Sequence, residues 1–336
     1  MRAKIVRLAL VFVLIGATLL SGCQAPGTDT EGTEGTGTGG ARRVVVGTMV
    51  TEDLLPLWAA EQDGILTGDD FIVEIQVFQS AQELSTAIAA GEIDFAMTDP
   101  LVAANLTAGG TPVTLEWVTL GATPAQGRFG IMASPESGIT SLKDLAGVPI
   151  GVGSNTMLEY VMDSVLIDAG VPVNQIKKEE IKKIPVRYEM MASNQVAAAV
   201  LPATMLYLGE SSGMVLIADD TKGKNLSQSV MVSRSAFTET PEGQEALAFV
   251  KQAWDTSAAQ INKNPESYRA LLVEKCSLPD PIADSYPVSD YPLAQRPGAE
   301  TLDPLLAWME EKGYLEQPLS YDPKTGEFRK DETTGN

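Results

Sequence analysis

From Arg43 onward the chain alternates short β-branched runs with helical patterns, which commits it to an α/β fold with parallel strands. Strands read at Val44 to Val46, Phe71 to Phe78, Ile93 to Met97, Val113 to Leu120, Gly130 to Ala133 and Pro149 to Val152. More follow near Ile184 to Val186, then at Val196 to Leu201, Met214 to Ala218 and Val230 to Ser233. The helices between them carry start and stop signals. Thr51-Glu52-Asp53 opens one that runs to about Asp63, with acids in the first turn where the macrodipole favours them. Ser80-Ala81-Gln82-Glu83 fits a capping box, and the helix behind it stops at Gly91. Asp99-Pro100 starts a third with proline at its first position. Thr156 to Glu159 is a second capping box, followed by an apolar stripe from Met157 to Leu166. The Gly/Pro-containing passage from Gly121 to Gly127 suits a crossing between two lobes, and the late strands suit a return. From Pro241 the chain reads as helices with Pro-rich turns, and the segment after Tyr321 as a polar, frayed tail.

Composition narrows the chemistry. The 336 residues are 44% hydrophobic, enough for a large core and about two domains. Histidine is absent, which removes Ser-His-Asp and Cys-His catalysis, His-ligated zinc and imidazole acid–base chemistry. Lys and Arg number 24 against 44 Asp and Glu, a net charge of −20 that repels a phosphate backbone. With 6% aromatic residues there is also little to stack on single-stranded bases. No nucleic-acid partner, catalytic residue, metal site or cofactor is expected.

The first residues read as an export signal. Arg2, Lys4 and Arg7 precede an apolar run from Leu8 to Leu20, too short to span a bilayer comfortably but suited to a signal h-region. It ends in Leu20-Ser21-Gly22-Cys23, which resembles the bacterial lipobox, with small residues for peptidase access and a thiol to take the lipid. Residues 1–22 are then a cleaved signal peptide and Cys23 the lipidation site. Cys276 is left with no intrachain partner and reads as a passive buried thiol. Gln24 to Gly40 is Gly/Thr-rich and nearly devoid of apolar residues, so it cannot repay the entropy of ordering and reads as a tether.

Three fragments are similar to a known family. Gly47-Thr48, with Leu55-Pro56-Leu57-Trp58-Ala59-Ala60-Glu61-Gln62-Asp63-Gly64-Ile65-Leu66, resembles the opening of solute-binding proteins of the nitrate/sulfonate/taurine and thiamine-pyrimidine type. Ser80 through Leu84 to Asp94, and Ser141-Leu142-Lys143-Asp144-Leu145-Ala146-Gly147 leading to Val152, match in order and spacing. The resemblance spans roughly Arg43 to Ala236. It departs at Asn194-Gln195-Val196-Ala197-Ala198, where the family often has Gly-x-Val-Asp-Ala. It implies a two-lobed type II periplasmic-binding-protein fold, each lobe a mainly parallel sheet flanked by helices, with C-terminal helices. It further implies a monomer that traps one small polar or planar organic solute between its lobes and delivers it to the permease and ATPase of an ABC importer. No bond is made or broken; a sensor lipoprotein, or an enzyme on the same scaffold, is the rival. The expected division is residues 23–41 as lipidated cysteine and tether, 42–121 plus 228–320 as lobe 1, 122–227 as lobe 2, and 321–336 as tail. The location is extracytoplasmic, on a membrane through the lipid.

In such sheets a ligand sits beyond the carboxyl ends of the strands, where helix N-termini present free N–H groups. The residues expected there are Thr48, Met49, Thr51, Gln79, Ser80, Thr98, Asp99, Gly153, Ser154, Asn155, Thr156, Arg187, Tyr188 and Pro202. Most are neutral hydrogen-bonding groups, able to orient a solute without burying bare charge. Ser80 and Thr156 serve either as N-caps or as ligand contacts, and Asp99 either as a cap or as counter-ion to a ligand amine. Gly153 forms either a tight turn or a loop whose N–H groups approach the ligand. Tyr188, read as following a strand end, either packs or stacks on a planar solute. Arg187 and Arg128 are either solvated or select a carboxylate or sulfonate. Trp58 and Trp117 read as core.

Overall fold

The computed structural model describes residues 41–330. The expected signal peptide, the expected lipidation site Cys23, the expected tether as far as Gly40 and the last residues of the expected tail lie outside the described residues. Within them, no helix is long and apolar enough to cross a membrane.

The strands are β1 (Arg42–Thr48), β2 (Phe71–Val77), β3 (Phe95–Thr98), β4 (Val113–Leu120), β5 (Phe129–Ala133), β6 (Pro149–Val152), β7 (Lys177–Glu180), β8 (Ala198–Pro202), β9 (Val215–Asp219), β10 (Ser229–Arg234), β11 (Leu319–Asp322) and β12 (Glu327–Lys330). The helices are α1 (Leu55–Gln62), α2 (Ala81–Ala90), α3 (Pro100–Ala108), α4 (Met157–Asp168), α5 (Ile184–Ala192), α6 (Ala203–Ser211), α7 (Ser235–Thr238), α8 (Pro241–Lys263), α9 (Arg269–Lys275), α10 (Asp280–Ala283) and α11 (Ala299–Glu311).

They form two sheets. A seven-stranded sheet has the order β11-β12-β4-β10-β3-β1-β2, and a five-stranded sheet has the order β7-β6-β8-β5-β9. Most strands of each run the same way, with β10 and β12 reversed in the first sheet and β5 in the second. In the first, β10 runs antiparallel to both β3 and β4; in the second, β5 runs antiparallel to both β8 and β9. These two strands are where the chain enters a new sheet: after β4 it crosses to β5, and after β9 it returns to β10. The first sheet and the C-terminal helices make lobe 1, and the second sheet with its helices makes lobe 2.

Burial follows strand position. Val44, Val45 and Val46 are all buried because β1 lies between β2 and β3 with helices on both faces. Edge strand β2 alternates instead, Phe71 and Val73 inward and Ile72 and Glu74 outward. On one face of the first sheet Trp58, Trp117 and Trp254 are sealed in the core with α1 and α8, Trp117 and Trp254 having ring centroids 5.9 Å apart. On the other face Leu84, Ile88, Leu101 and Leu302 pack with α2, α3 and α11. Cys276 is a free, buried thiol in the first of these cores, and burial raises its pKa.

Three sequence readings are corrected. Ile184 to Val186 is not a strand: Pro185 sits in the first turn of α5, and the extended segment is β7, a lysine- and glutamate-only edge with no apolar signal to betray it. Because Arg187 and Tyr188 are helical, they do not follow a strand end. The segment after Tyr321 does not fray at its start: β11 and β12 form a hairpin, with β12 beside β4 and Tyr321 and Phe328 buried against each other. Two aromatics in a polar stretch suffice because they pair across the hairpin.

Candidate functional site

Lobe 1 brings the carboxyl ends of β1, β2 and β3 to one edge of its sheet. Thr48 is buried there and its hydroxyl donates to the carbonyl of Met49 at 3.1 Å. The chain then turns through Thr51 into a 3-10 turn, Glu52–Leu54. Glu52 is 8% exposed; Tyr286 donates to its carboxylate at 2.6 Å and Tyr291 to its backbone carbonyl at 2.8 Å. Burial, then the neighbouring Asp53, pushes the Glu52 carboxyl up to about 7. Asp53 accepts from the hydroxyl of Ser229, which in turn accepts from Thr119 at 2.8 Å. This joins the first turn of the chain to the point where it re-enters lobe 1.

At the end of β2, Ser80 caps α2 by accepting from the Glu83 N–H at 3.2 Å, while the Glu83 carboxylate takes the Gln79 N–H at 3.1 Å. At the end of β3, Asp99 caps α3, accepting from the Val102 N–H at 2.8 Å. Burial raises the Asp99 carboxyl to about 6, and the nearby Asp53 adds to the rise. Thr98, 2% exposed, has a hydroxyl with no hydrogen-bond partner, as does the sealed hydroxyl of Thr51.

Lobe 2 presents the loop from Gly153 to Thr156. Thr156 caps α4, accepting from the Glu159 N–H at 3.3 Å and donating to the Gly153 carbonyl at 2.7 Å. Asn155 takes a left-handed conformation, φ 57°, and its N–H goes to the Glu159 carboxylate at 2.8 Å. The Ser154 N–H goes to the Glu180 carboxylate at 3.2 Å. Two N–H groups expected to face a ligand are therefore held by the protein's own carboxylates. In both capping boxes the glutamate reaches the N–H one residue before the cap. The Asn155 side-chain carbonyl accepts from Asn105 of α3 at 3.1 Å, a hydrogen bond across the lobes.

Arg187 and Tyr188 do not join this site. The Arg187 guanidinium is 1% exposed and donates to the carbonyls of Ile181 at 2.9 and 2.8 Å and Val200 at 2.7 Å. It lies under the loop: a Cβ on Gly153 would come within 3.3 Å of its Nη2. Burial lowers its pKa to about 10. Tyr188 packs with Met191, Leu201 and Leu206 in the core of lobe 2. The sequence placed both at a strand end because it missed α5. Arg128 is committed too, to Glu210 at 2.8 and 2.9 Å and Asp219 at 2.8 Å, over the ring of Tyr207.

Pro202 ends β8 and caps α6, whose Ala203 is buried in the lobe 1 core. On the same helix Tyr207 packs edge-to-face on Tyr286 at 4.9 Å. A second contact between lobes runs along α4. The Glu159 carboxylate meets Lys178 at 2.6 Å, Tyr314 at 2.7 Å and Lys312 at 3.2 Å, and Asp163 accepts from Trp308 at 3.0 Å. Burial works against the charge on Glu159, but Lys178, Tyr314 and Lys312 hold its pKa below the usual range. Sequence reading missed Glu52, Asp53, Ser229 and Tyr286 as neighbours. The first two read as ordinary first-turn acids, and no local pattern announces a partner over 170 residues away.

Cavities of about 330 and 510 Å³ lie elsewhere, one lined by Glu116, Trp117, Lys251 and Arg296, the other by Asn105, Tyr314, Gln317 and Lys330. Neither is lined by an expected site residue.

The family model described as NMT1/THI5 like matches residues 51–267, well over half of the chain. The chain belongs to the NMT1/THI5-like family. A comparison with curated proteins finds no match. Among solved structures, the alkanesulfonate-binding protein SsuA from Xanthomonas axonopodis pv. citri bound to MOPS is 17% identical, with a TM-score of 0.68 over 83% of this chain and 96% of its own. The periplasmic aliphatic sulphonate binding protein SsuA from Escherichia coli is 15% identical, TM-score 0.70, over 88% and 94%. The ligand-binding component of an ABC-type import system from Staphylococcus aureus, with zinc bound, is 14% identical, TM-score 0.65, over 84% and 95%. At these identities the likeness establishes the fold: two lobes of the periplasmic-binding-protein type, as the resemblance implied. Among the described residues of this member of the family, no group of three or more Cys, Asp or Glu is placed to hold a metal ion.

Proposed function

We propose that the chain is an extracytoplasmic solute-binding protein, held to a membrane by a lipid on Cys23, that captures one small polar or planar organic solute between its lobes and passes it to an ABC importer. The observation that carries this reading is the convergence at the ends of β1 and β3 of sealed, unpartnered hydroxyls, Thr51 and Thr98, on a two-lobed frame crossed twice by the chain. Buried polar groups ordinarily find partners, so unmet ones at the sheet edge of this fold favour a ligand as the missing partner. The fold's neighbours, named as sulfonate binders and an import-system component, support the same direction. The extra contacts between lobes, Glu159 with Lys312 and Tyr207 with Tyr286, suit a frame that closes and reopens about its crossovers. The expected ligand set now rests on Thr48, Met49, Thr51, Gln79, Ser80, Thr98 and Asp99 in lobe 1 and Gly153, Ser154, Asn155, Thr156 and Pro202 in lobe 2.

Titration of intrinsic tryptophan fluorescence against a solute panel tests it. Saturable binding of one solute per chain, with the solute recovered unchanged, is the expected result. Chemical turnover of a bound solute, or no saturable binding across the panel, contradicts it.

A further inference from the structure

Among the described residues, the acids on the lobe 1 side of the candidate site have no cation paired with them. Asp53 stands within electrostatic reach of both Glu52 and Asp99 and raises the pKa of each. None of the three makes a salt bridge among the described residues, although fifteen such bridges occur there, and no cation contributes to the shift of Glu52 or Asp99. Two further buried polar side chains sit at the same edge. Thr98 immediately precedes Asp99 and pairs in the ladder with Val230. Gln228, 6% exposed, immediately precedes Ser229, the residue that holds Asp53. Gln228 stands just before the first residue of β10, two residues ahead of the Val230 that pairs with Thr98. Neither the Gln228 side-chain carbonyl nor the Thr98 hydroxyl has a partner. A carbonyl oxygen only accepts, so its missing partner is a donor. The two arginines that sequence reading offered for an anion are turned to carbonyls or to Glu210 and Asp219. The carboxylates are not grouped to hold a metal ion.

We propose that the solute taken by this chain is an organic cation bearing N–H donors, an ammonium or amidinium group, seated against Asp53, Asp99, Thr98 and Gln228, and not a sulfonate. This rests on the reading of the strand ends as a solute site. Charge-assisted hydrogen bonds from such a group satisfy the orphaned Gln228 carbonyl and offset the mutual repulsion of the acids at once. A sulfonate there adds negative charge beside these acids, where no cation contributes to the shift of Glu52 or Asp99. The groups that face Glu52 are Asp53, Tyr286, Tyr291 and Cys276, and Asp53 faces Asp99. Because burial raises Glu52 and Asp99 toward neutrality, a bound cation favours their ionised forms, and its affinity rises between pH 5 and pH 8.

The test uses the purified full chain and matched probes: benzamidine with benzenesulfonate, and propylamine with propanesulfonate, by calorimetry at pH 5 and pH 8. The expected result is that a cationic member binds at least tenfold more tightly than its sulfonate, more tightly at pH 8, and at least tenfold more weakly in Asp53→Asn and Asp99→Asn. Both variants keep the oxygen that accepts from Ser229 or caps α3, so the fold is kept. A sulfonate that binds while its cation does not overturns the solute class and leaves solute capture standing. Cation binding unchanged in both variants overturns the placement. A chain that binds neither series overturns the class, and if it also binds nothing in the wider panel, the capture reading falls with it.

Discussion

Glu52→Gln is expected to be more stable than the parent chain at pH 8 by about 3 kcal/mol and indistinguishable from it near pH 4.5. The Glu52 carboxyl is raised from 4.5 to about 7, burial being the main cause and Asp53 the second. A folded-state pKa above the unfolded value means that the folded chain holds the proton more tightly. The stability this supplies is complete below about pH 4.5 and is lost as pH climbs through 7. Some 2.5 units at about 1.4 kcal/mol each gives the figure. Glutamine keeps an acceptor for the Tyr286 hydroxyl and has no charge to desolvate. Asp99, raised to about 6, leaves a similar pH slope in both proteins and cancels in the comparison. Thermal melts at both pH values read the effect as about 5 °C at pH 8 for a chain of this size. A variant no more stable than the parent at pH 8 contradicts the burial of a charged carboxylate at the lobe junction.

Gly121→Ala is expected to cost about 3 kcal/mol or more, and to take solute binding with it. Gly121 has φ +83°, and a Cβ there would lie 2.6 Å from the carbonyl oxygen of Ser227 and 3.0 Å from the Cα of Gln228. Those atoms are backbone of the returning crossover, so the outgoing and returning chains touch at this point. Its carbonyl also accepts from the Asn225 side chain at 2.6 Å, a further tie between the same two passages. The substitution therefore adds a left-handed alanine, costing about 1 kcal/mol, to a clash that can be relieved only by parting the crossovers. Gly138 provides the control: φ +72° with nothing within 4 Å of a Cβ. Gly138→Ala should lose about 1 kcal/mol alone, near 2 °C in the melt against 5 °C or more for Gly121→Ala. Equal shifts would contradict the close passage of the two crossovers.

How much of this was legible in the sequence depended on how local the physics was. Runs such as Val44 to Val46 and Val113 to Leu120 are buried on both faces and declare themselves by hydrophobicity alone. Ser80 and Thr156 declared their helices because a cap and its third residue lie within one turn. The β7 edge did not, since Lys177 to Glu180 are all exposed and strand only by pairing with β6. The hairpin of Tyr321 and Phe328 is stabilised by β4, two hundred residues earlier. Arg187 misled for a related reason: a cation near a loop suggests an anion site, and only the fold shows its donors taken by the carbonyls of Ile181 and Val200. The acidic face of the site was hidden in the same way. Asp53 and Asp99 are unremarkable helix-start acids until Ser229 and the pairing of β3 with β10 bring them to one edge.

A crystal structure of the full chain grown with its tightest-binding solute tests the central claim most directly. The account predicts one solute in contact with Thr98 or Asp99 from lobe 1 and with a residue of Gly153 to Thr156 from lobe 2. A solute found only in the cavity beside Glu116, Trp117 and Arg296, with side chains filling the space between the strand ends, would contradict it.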